Sequence, residues 1–297
     1  MNKITYQHCP ICESEAIADI MPIKDHSISK QEFALAQCSD CGFLFTNYVP
    51  VEEEIGPYYQ SEDYISHSDT QKGLTSKLYH WARKKMLKRK YKLVKGLNTG
   101  KKLLDVGAGT GYFPHEMKTN GYSVVGVEVD DNARNYAKEK FDLTIYPSLN
   151  EAFQAESENF DTITMWHVLE HVYNLHGYLQ KFHHRLNANG AVVIAVPNAD
   201  SLDGQHYKDK WAAYDVPRHL WHFTPRTLAK LAELNGFKVE KMHHLPFDPF
   251  YISILSEKYK GGSLGFLKGG WIGFRSFLRG KKDVTKASSV VYILKKG

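Results

Sequence analysis

The stretch Leu103-Leu104-Asp105-Val106-Gly107-Ala108-Gly109-Thr110-Gly111 constrains the fold more than any other, because an apolar strand runs directly into a glycine loop. Downstream, Val124-Val125-Gly126-Val127-Glu128 has the form of a second strand ending on a carboxylate. A first strand, a glycine turn at a helix N-terminus and an acidic residue closing the next strand make a nucleotide-binding βαβ unit. An adenosine-containing cofactor is expected.

The loop narrows which one. A dinucleotide site wants Gly-x-Gly-x-x-Gly around a pyrophosphate, whereas this loop reads Gly-x-Gly-x-Gly and follows Asp105. A carboxylate there repels a pyrophosphate and suits a cationic aminoacyl sulfonium, directly or through water. The Asp-x-Gly-x-Gly-x-Gly form resembles the first motif of class I S-adenosylmethionine (SAM) methyltransferases. That resemblance implies a Rossmann-like, seven-stranded α/β sheet with helices on both faces. It also implies that Gly107, Gly109 and Gly111 wrap the methionine and ribose, and that Glu128 accepts hydrogen bonds from the ribose hydroxyls. Asp105, Ala108, Tyr112, Val129, Ser148, Trp166 and His167 complete the expected cofactor-binding set.

The 297 residues suffice for one large α/β domain plus a small module, and 42% hydrophobic with 24% charged content is ordinary for a globular chain. No run approaches the roughly 18 apolar residues of a membrane span, and Met-Asn-Lys-Ile-Thr-Tyr-Gln-His has no signal-peptide core, so a cytoplasmic location is expected. All four cysteines fall in the first 41 residues, as Cys9-Pro-Ile-Cys12 and Cys38-Ser-Asp-Cys41. In a reducing compartment two such pairs read as a metal site rather than as disulfides, and four thiolates suit tetrahedral zinc. Iron, or a metal-free ribbon, is the alternative. A closed four-cysteine site leaves no open position for substrate, so the expected role is structural.

Residues 1–48 read as a zinc-ribbon-like module, 49–73 as a linker carrying Pro57, Tyr58, Tyr59 and Tyr64, and 74–297 as the methyltransferase domain. A helix is expected over 74–97, with Leu74, Leu78, Trp81, Ala82, Leu87, Tyr91 and Val94 on one face. Its other positions hold Lys77, Arg83, Lys84, Lys85, Lys88, Arg89, Lys90, Lys92 and Lys95 with no acidic residue among them. Such a helix can dock on RNA, an anionic membrane or a phosphorylated substrate, or it can be a solvated face; the net charge of +5 is modest. Further helices are expected over 132–140, 175–186 and 225–234, the second stopped by Asn189-Gly190 and the third capped by Thr224 with Pro225 at its first position. Strands are expected over 143–146, 160–166, 191–196, 237–243 and 289–294. This alternation implies a parallel sheet whose strand ends bring Asp105, Glu128, Ser148, Trp166, His167 and Pro197 to one crevice. An insertion over 246–286 is expected to cap the substrate pocket, with peripheral membrane contact through 262–282 as the alternative.

Proton transfer must be sought among fifteen histidines. His167 and His171 bracket Glu170 after the fourth strand, and His206, His219 and His222 surround a Trp-rich segment. Here Trp166-His167-Val168-Leu169-Glu170-His171, Val196-Pro197-Asn198 and Pro217-Arg218-His219-Leu220 resemble a bacterial methyltransferase subfamily of cell-surface polysaccharide and secondary-metabolite pathways, related to sugar C-methyltransferases. His219-Leu220-Trp221-His222-Phe223-Thr224 is similar to the His-Leu-x-x-Phe-Ser segment of those enzymes, which implies that His219 is the general base. His167 and His222 are expected to orient the substrate. Those enzymes have Tyr-His-Glu before the histidine where this chain has Val216-Pro217-Arg218. The resulting expectation is methyl transfer to a small-molecule acceptor such as a sugar or nucleotide-sugar. The alternatives are an RNA methyltransferase that holds RNA with ribbon and basic helix, and a non-catalytic SAM-binding scaffold.

Overall fold

The computed structural model describes residues 2–59, 74–261 and 263–297, with the backbone alone over 74–79. The linker stretch 60–73 with Tyr64, and the side chains of Leu74, Lys77 and Leu78, lie outside the described residues. The N-terminal segment forms β1 (Lys3–Ile4), β2 (Ile17–Lys24), β3 (Glu32–Cys38), β4 (Leu44–Asn47) and β5 (Val49–Pro50). The remainder alternates: α1 (Leu74–Lys95), β6 (Lys102–Val106), α2 (Tyr112–Thr119), β7 (Ser123–Val127), α3 (Asp131–Phe141), β8 (Ile145–Tyr146), α4 (Leu149–Ala155), β9 (Phe160–Trp166), α5 (Leu175–Arg185) and β10 (Leu186–Pro197). Then follow α6 (Leu202–Tyr207), β11 (Trp221–His222), α7 (Pro225–Leu234), β12 (Phe237–His244), α8 (Asp248–Lys260), α9 (Gly265–Lys282) and β13 (Ser289–Lys296).

The main sheet has seven strands in the order β12-β13-β10-β9-β6-β7-β8, with β13 antiparallel to both its neighbours and the rest running one way. Continuous apolar strands such as Ala191–Val196, fully buried, are what a sheet covered on both faces requires. From β6 the chain first adds strands on one side and then returns to the other, so the C-terminal end of β6 is a topological switch point with a crevice outside it.

Local signals hold at α7, where Thr224 and Thr227 form a reciprocal capping box behind Pro225. They fail at Asn189-Gly190. That pair does not stop a helix, because α5 ends at Arg185 and β10 begins at once, pairing Leu186 with Phe160. Asn189-Gly190 instead lies in the irregular stretch before Ala191 pairs with Thr162.

The N-terminal segment is built into the rest of the chain. Strand β11 adds antiparallel to β4, with Trp221 opposite Phe45 and His222 opposite Leu44, which gives a second sheet in the order β11-β4-β3-β2. Trp221 stacks on Phe43 at 6.0 Å, and one apolar cluster runs from Cys9, Phe43 and Phe45 through Trp221 to Ile163 and Ile194. The 246–286 insertion is a helical hairpin. Its helices approach so closely that a Cβ at Gly269 or Gly273 would stand 2.6 Å from Ile254 or 2.7 Å from Phe250 backbone. Among the described residues no helix is long and apolar enough to cross a membrane.

Candidate active site

The glycine loop leaves β6 with Gly107, Gly109 and Gly111 all in the left-handed region. The Gly107 and Ala108 amides both donate to the Val127 carbonyl, so the loop is stitched to the end of β7. Glu128 completes the stitch: Oε2 accepts from the Gly109 amide at 2.8 Å and Oε1 from the Asp130 amide at 3.0 Å. A carboxylate offers about four acceptor sites, so this half-buried group keeps capacity for two hydroxyls. A Cβ built on Gly109 would meet nothing within 4 Å. That open cradle, the Glu128 acceptors beside it and the buried, unpartnered indole Nε1 of Trp166 at the neighbouring strand end fit an adenosyl ligand.

Asp105 is buried beneath the loop and accepts from the Thr164 hydroxyl at 2.5 Å. Burial pushes its carboxyl up to about 7, against the pull of Thr164 and Lys90. Lys90 corrects the picture of a wholly solvated basic helix. Its ammonium is turned inward, 4.4 Å from the Trp166 ring, and burial lowers it to about 8 despite the nearby Asp105 and Asp248 charges. Trp81, expected on the apolar face of α1, is instead half exposed with its ring 6.0 Å from Phe247.

Other expected cofactor residues are engaged elsewhere. The Ser148 hydroxyl caps α4 by accepting from the Glu151 amide. Tyr112 lies under the Arg83 guanidinium at 4.0 Å and packs against Phe141, joining α1, α2 and α3. Val129 is almost fully exposed, one residue past Glu128.

Beyond β9 and β10 a polar cluster gathers. His167, held at φ +60, places Nδ1 3.3 Å from Glu170 Oε1 and Nε2 3.0 Å from Asp248 Oδ2. Burial opposes its charge, yet the close carboxylates of Asp248 and Glu170 prevail and raise it to about 10. His167 is therefore a fixed cation at neutral pH and cannot accept a proton. His171 is the opposite case. Burial lowers it to about 4, so it stays neutral. Its Nδ1 lies 3.0 Å from the Arg218 carbonyl, which can only accept, so the proton is assigned to Nδ1 and Nε2 keeps its lone pair.

His219 is oriented in the same way. Nδ1 is 2.8 Å from the Ala213 carbonyl, which can only accept, so Nδ1 carries a proton, and its ring stands edge-on to His171 at 4.6 Å. Glu170, His171 and His219 bring one donor atom each to within 4.8 Å of one another. Glu170 is 1% exposed and neither oxygen accepts a well-directed hydrogen bond, although burial is outweighed by the charged His167 so that the carboxyl is held below its usual range.

The loop that aims His219 is fixed by Arg218. This buried guanidinium grips Asp215 through Nε at 2.9 Å and Nη2 at 2.6 Å, reaches Asp25 at 3.1 Å and donates to the Tyr58 carbonyl at 2.8 Å. Asp25 follows β2, so the N-terminal segment braces the histidine loop. His222 is a correction. It faces away into the seam between β4 and β11, 3% exposed, with Nε2 2.9 Å from the Thr46 hydroxyl. Burial lowers it well below the usual imidazole range, so it is a neutral packing residue rather than a substrate-orienting one. His206 is exposed on α6 and stays outside the cluster.

Sequence reading named Glu170 and His171 only as neighbours, and missed the roles of Lys90, Arg218, Asp248 and Tyr59, whose hydroxyl is 3.1 Å from His171 Nδ1. Asp248 comes from an insertion 81 residues beyond His167, for which no local motif exists.

At the other end, Cys9 and Cys41 Sγ atoms are 3.5 Å apart, Cys12 and Cys38 are 3.7 Å apart, and all four lie within 4.8 Å of one another. Tetrahedral zinc with bonds of about 2.3 Å requires sulfurs roughly 3.8 Å apart, so the donor set fits that ion.

A model of the methyltransferase domain family matches residues 78–242. The mitochondrial ubiquinone biosynthesis O-methyltransferase of Homo sapiens is 30% identical over 167 residues, 51% of this chain and 45% of the relative. The protein of the same name from Dinoroseobacter shibae is 28% identical over 163 residues, 50% of this chain and 65% of the relative. The chain spans about half the length of the first of these curated relatives. They carry the name of an O-methyltransferase, not of a sugar C-methyltransferase. Among solved structures, a SAM-dependent methyltransferase from Archaeoglobus fulgidus superposes with a TM-score of 0.50 at 19% identity, covering 72% of this chain and 94% of that one. Magnesium protoporphyrin IX methyltransferase from Synechocystis, with bound SAH, gives 0.52 at 12% identity, covering 81% and 97%. At such identities the likeness establishes the fold. With the family model covering more than half of it and the glycine loop, switch-point crevice and sheet order in place, the chain belongs to the class I SAM-dependent methyltransferases.

Proposed function

We propose that this methyltransferase transfers its methyl group to a hydroxyl of a small-molecule acceptor, with His219 as general base. The observation that carries this reading is an imidazole whose Nδ1 is committed to the Ala213 carbonyl and which shares a cluster with the buried Glu170 carboxylate, held below its usual range. SAM supplies an electrophilic methyl group and leaves as the neutral thioether S-adenosylhomocysteine. Gly109 and Glu128 hold its adenosyl part, and Asp105 lies beneath. His219 Nε2 takes the acceptor hydroxyl proton as the oxygen–methyl bond forms, and the Glu170 carboxylate stabilises the resulting imidazolium. His167, already charged, fixes Glu170 from behind. The relatives' name supports a hydroxyl acceptor over a carbon one.

The test is His219→Gln assayed with methyl-labelled SAM against a panel of quinols, catechols, sugars and nucleotide-sugars. SAM affinity by calorimetry should stay within a fewfold while turnover drops about 10²–10⁴-fold. Turnover within a fewfold of the parent removes His219 from the role. A second reading rests on the donor set itself: one carboxylate and two imidazole nitrogens within 4.8 Å can also hold a divalent cation that acidifies the hydroxyl. Turnover abolished by EDTA and restored by one divalent ion would favour it over the free base.

The cysteine cluster is proposed to hold structural zinc. Its chemistry stays away from the acceptor, but its module braces the His219 loop through β4–β11 pairing and the Asp25–Arg218 ion pair.

A further inference from the structure

Helix α9 is apolar on two opposite sides. At 100° per residue, Gly269, Ile272, Gly273, Ser276 and Gly280 fall on one face, and this is the face buried against α8 and, at Gly280, against Ala287. On the opposite face a second row runs at spacings of three and four residues: Leu264 is 57% exposed, Leu267 67%, Trp271 61%, Phe274 42% and Leu278 48%. The row is about 21 Å long at a rise of about 1.5 Å per residue. A helix normally turns its charged side to water, and five large apolar groups in register on an outer face mark an interaction surface rather than scattered exposure.

The charge of the helix selects the occupant. Its eighteen residues contain Lys268, Arg275, Arg279, Lys281 and Lys282 and no carboxylate. The three-four spacing would also suit pairing with a second copy, but that would bring two sets of five cations together with no anion on either helix to offset them. An anionic lipid surface accepts both features at once, the apolar row among acyl chains and the cations at the headgroups. We propose that α9 is a membrane-docking helix that lies in the plane of an anionic bilayer with Leu267, Trp271 and Leu278 inserted. The small-residue face keeps it clamped to α8, whose first residue Asp248 bonds to His167, so the docked hairpin holds one wall of the active site beside the bilayer.

The test is flotation of the full chain with phosphatidylcholine vesicles containing no or 30% phosphatidylglycerol, at low and high salt. The parent should float with the anionic vesicles, less so as salt rises. Leu267→Ser with Trp271→Ser, and separately Arg279→Gln with Lys282→Gln, should each lower the partition about tenfold or more, with calorimetric SAM affinity unchanged to show that the fold is intact. A parent that stays with the lipid-free fraction at low salt overturns the proposal, as do variants that float like the parent. A parent dimer in light scattering that the Leu267/Trp271 variant dissociates assigns the row to a second copy and overturns it equally. None of these readouts depends on turnover, so the outcome is separable from the assignment of acceptor and base.

Discussion

Replacing Gly107 with alanine tests whether the cofactor loop is held by its backbone conformation or by what surrounds it. Gly107 has φ +75, and an added Cβ would stand 2.2 Å from Val168 Cγ2. A non-glycine residue in the left-handed region costs about 1–2 kcal/mol, and forcing a methyl into an occupied position adds about 1–3 kcal/mol. The expected loss is therefore about 2–5 kcal/mol, measured by urea unfolding. Gly109 provides the control, since its φ is +52 but a Cβ there would meet nothing within 4 Å. Gly109→Ala should lose only the conformational part, about 1–2 kcal/mol. Its methyl would nonetheless stand in the open cradle beside Glu128, so SAM affinity should fall about tenfold or more even though the fold is less perturbed. Adding Val168→Ala to Gly107→Ala should return the overpacking part as a coupling of about 1–3 kcal/mol. Equal costs at the two glycines, with no coupling to Val168, would refute the steric account.

Arg218→Leu leaves Asp25 and Asp215 without their buried counter-charge and should cost about 3–5 kcal/mol by denaturant unfolding; a loss under about 1 kcal/mol would show that the loop is held otherwise. At Asp25, burial is outweighed by the Ser29 amide and Arg218, which lower its carboxyl from 3.8 to about 2. Because the folded value lies below the unfolded one, its contribution of about 2 kcal/mol is fully present above about pH 4 and is lost as pH falls through 2; Asp25→Asn should flatten the stability profile in that window. One zinc per chain is expected by elemental analysis, and its removal should lower turnover by loosening the β4–β11 seam while SAM affinity stays within a fewfold. Unchanged turnover in the metal-free protein would uncouple the module from His219.

The parts of this protein legible in its sequence are those set by short-range rules. The glycine loop, the acidic end of β7, the Thr224–Pro225 helix start and the two Cys-x-x-Cys pairs each need only a few adjacent residues, because backbone dihedrals, caps and knuckles are local constraints. Apolar periodicity then supplied the strands, but the expected parallel sheet is mixed, because β13 returns antiparallel between β10 and β12, which no strand's own pattern reveals. The basic run of α1 misled at Lys90 because a helix face is assigned from polarity, and only the packed neighbour Trp166 shows which cation turns inward.

What the tertiary structure decided is the division of labour among the histidines. His167, His171, His219 and His222 are the same residue type, yet the adjacent Glu170 and the distant Asp248 hold the first as a cation, burial keeps the second neutral, a backbone carbonyl engages Nδ1 of the third, and a threonine from β4 retires the fourth to the interior. Each outcome depends on partners 3 to 176 positions away. An imidazole's charge and tautomer are fixed by dielectric and by the group facing each ring nitrogen, and those are properties of the packed fold rather than of the chain.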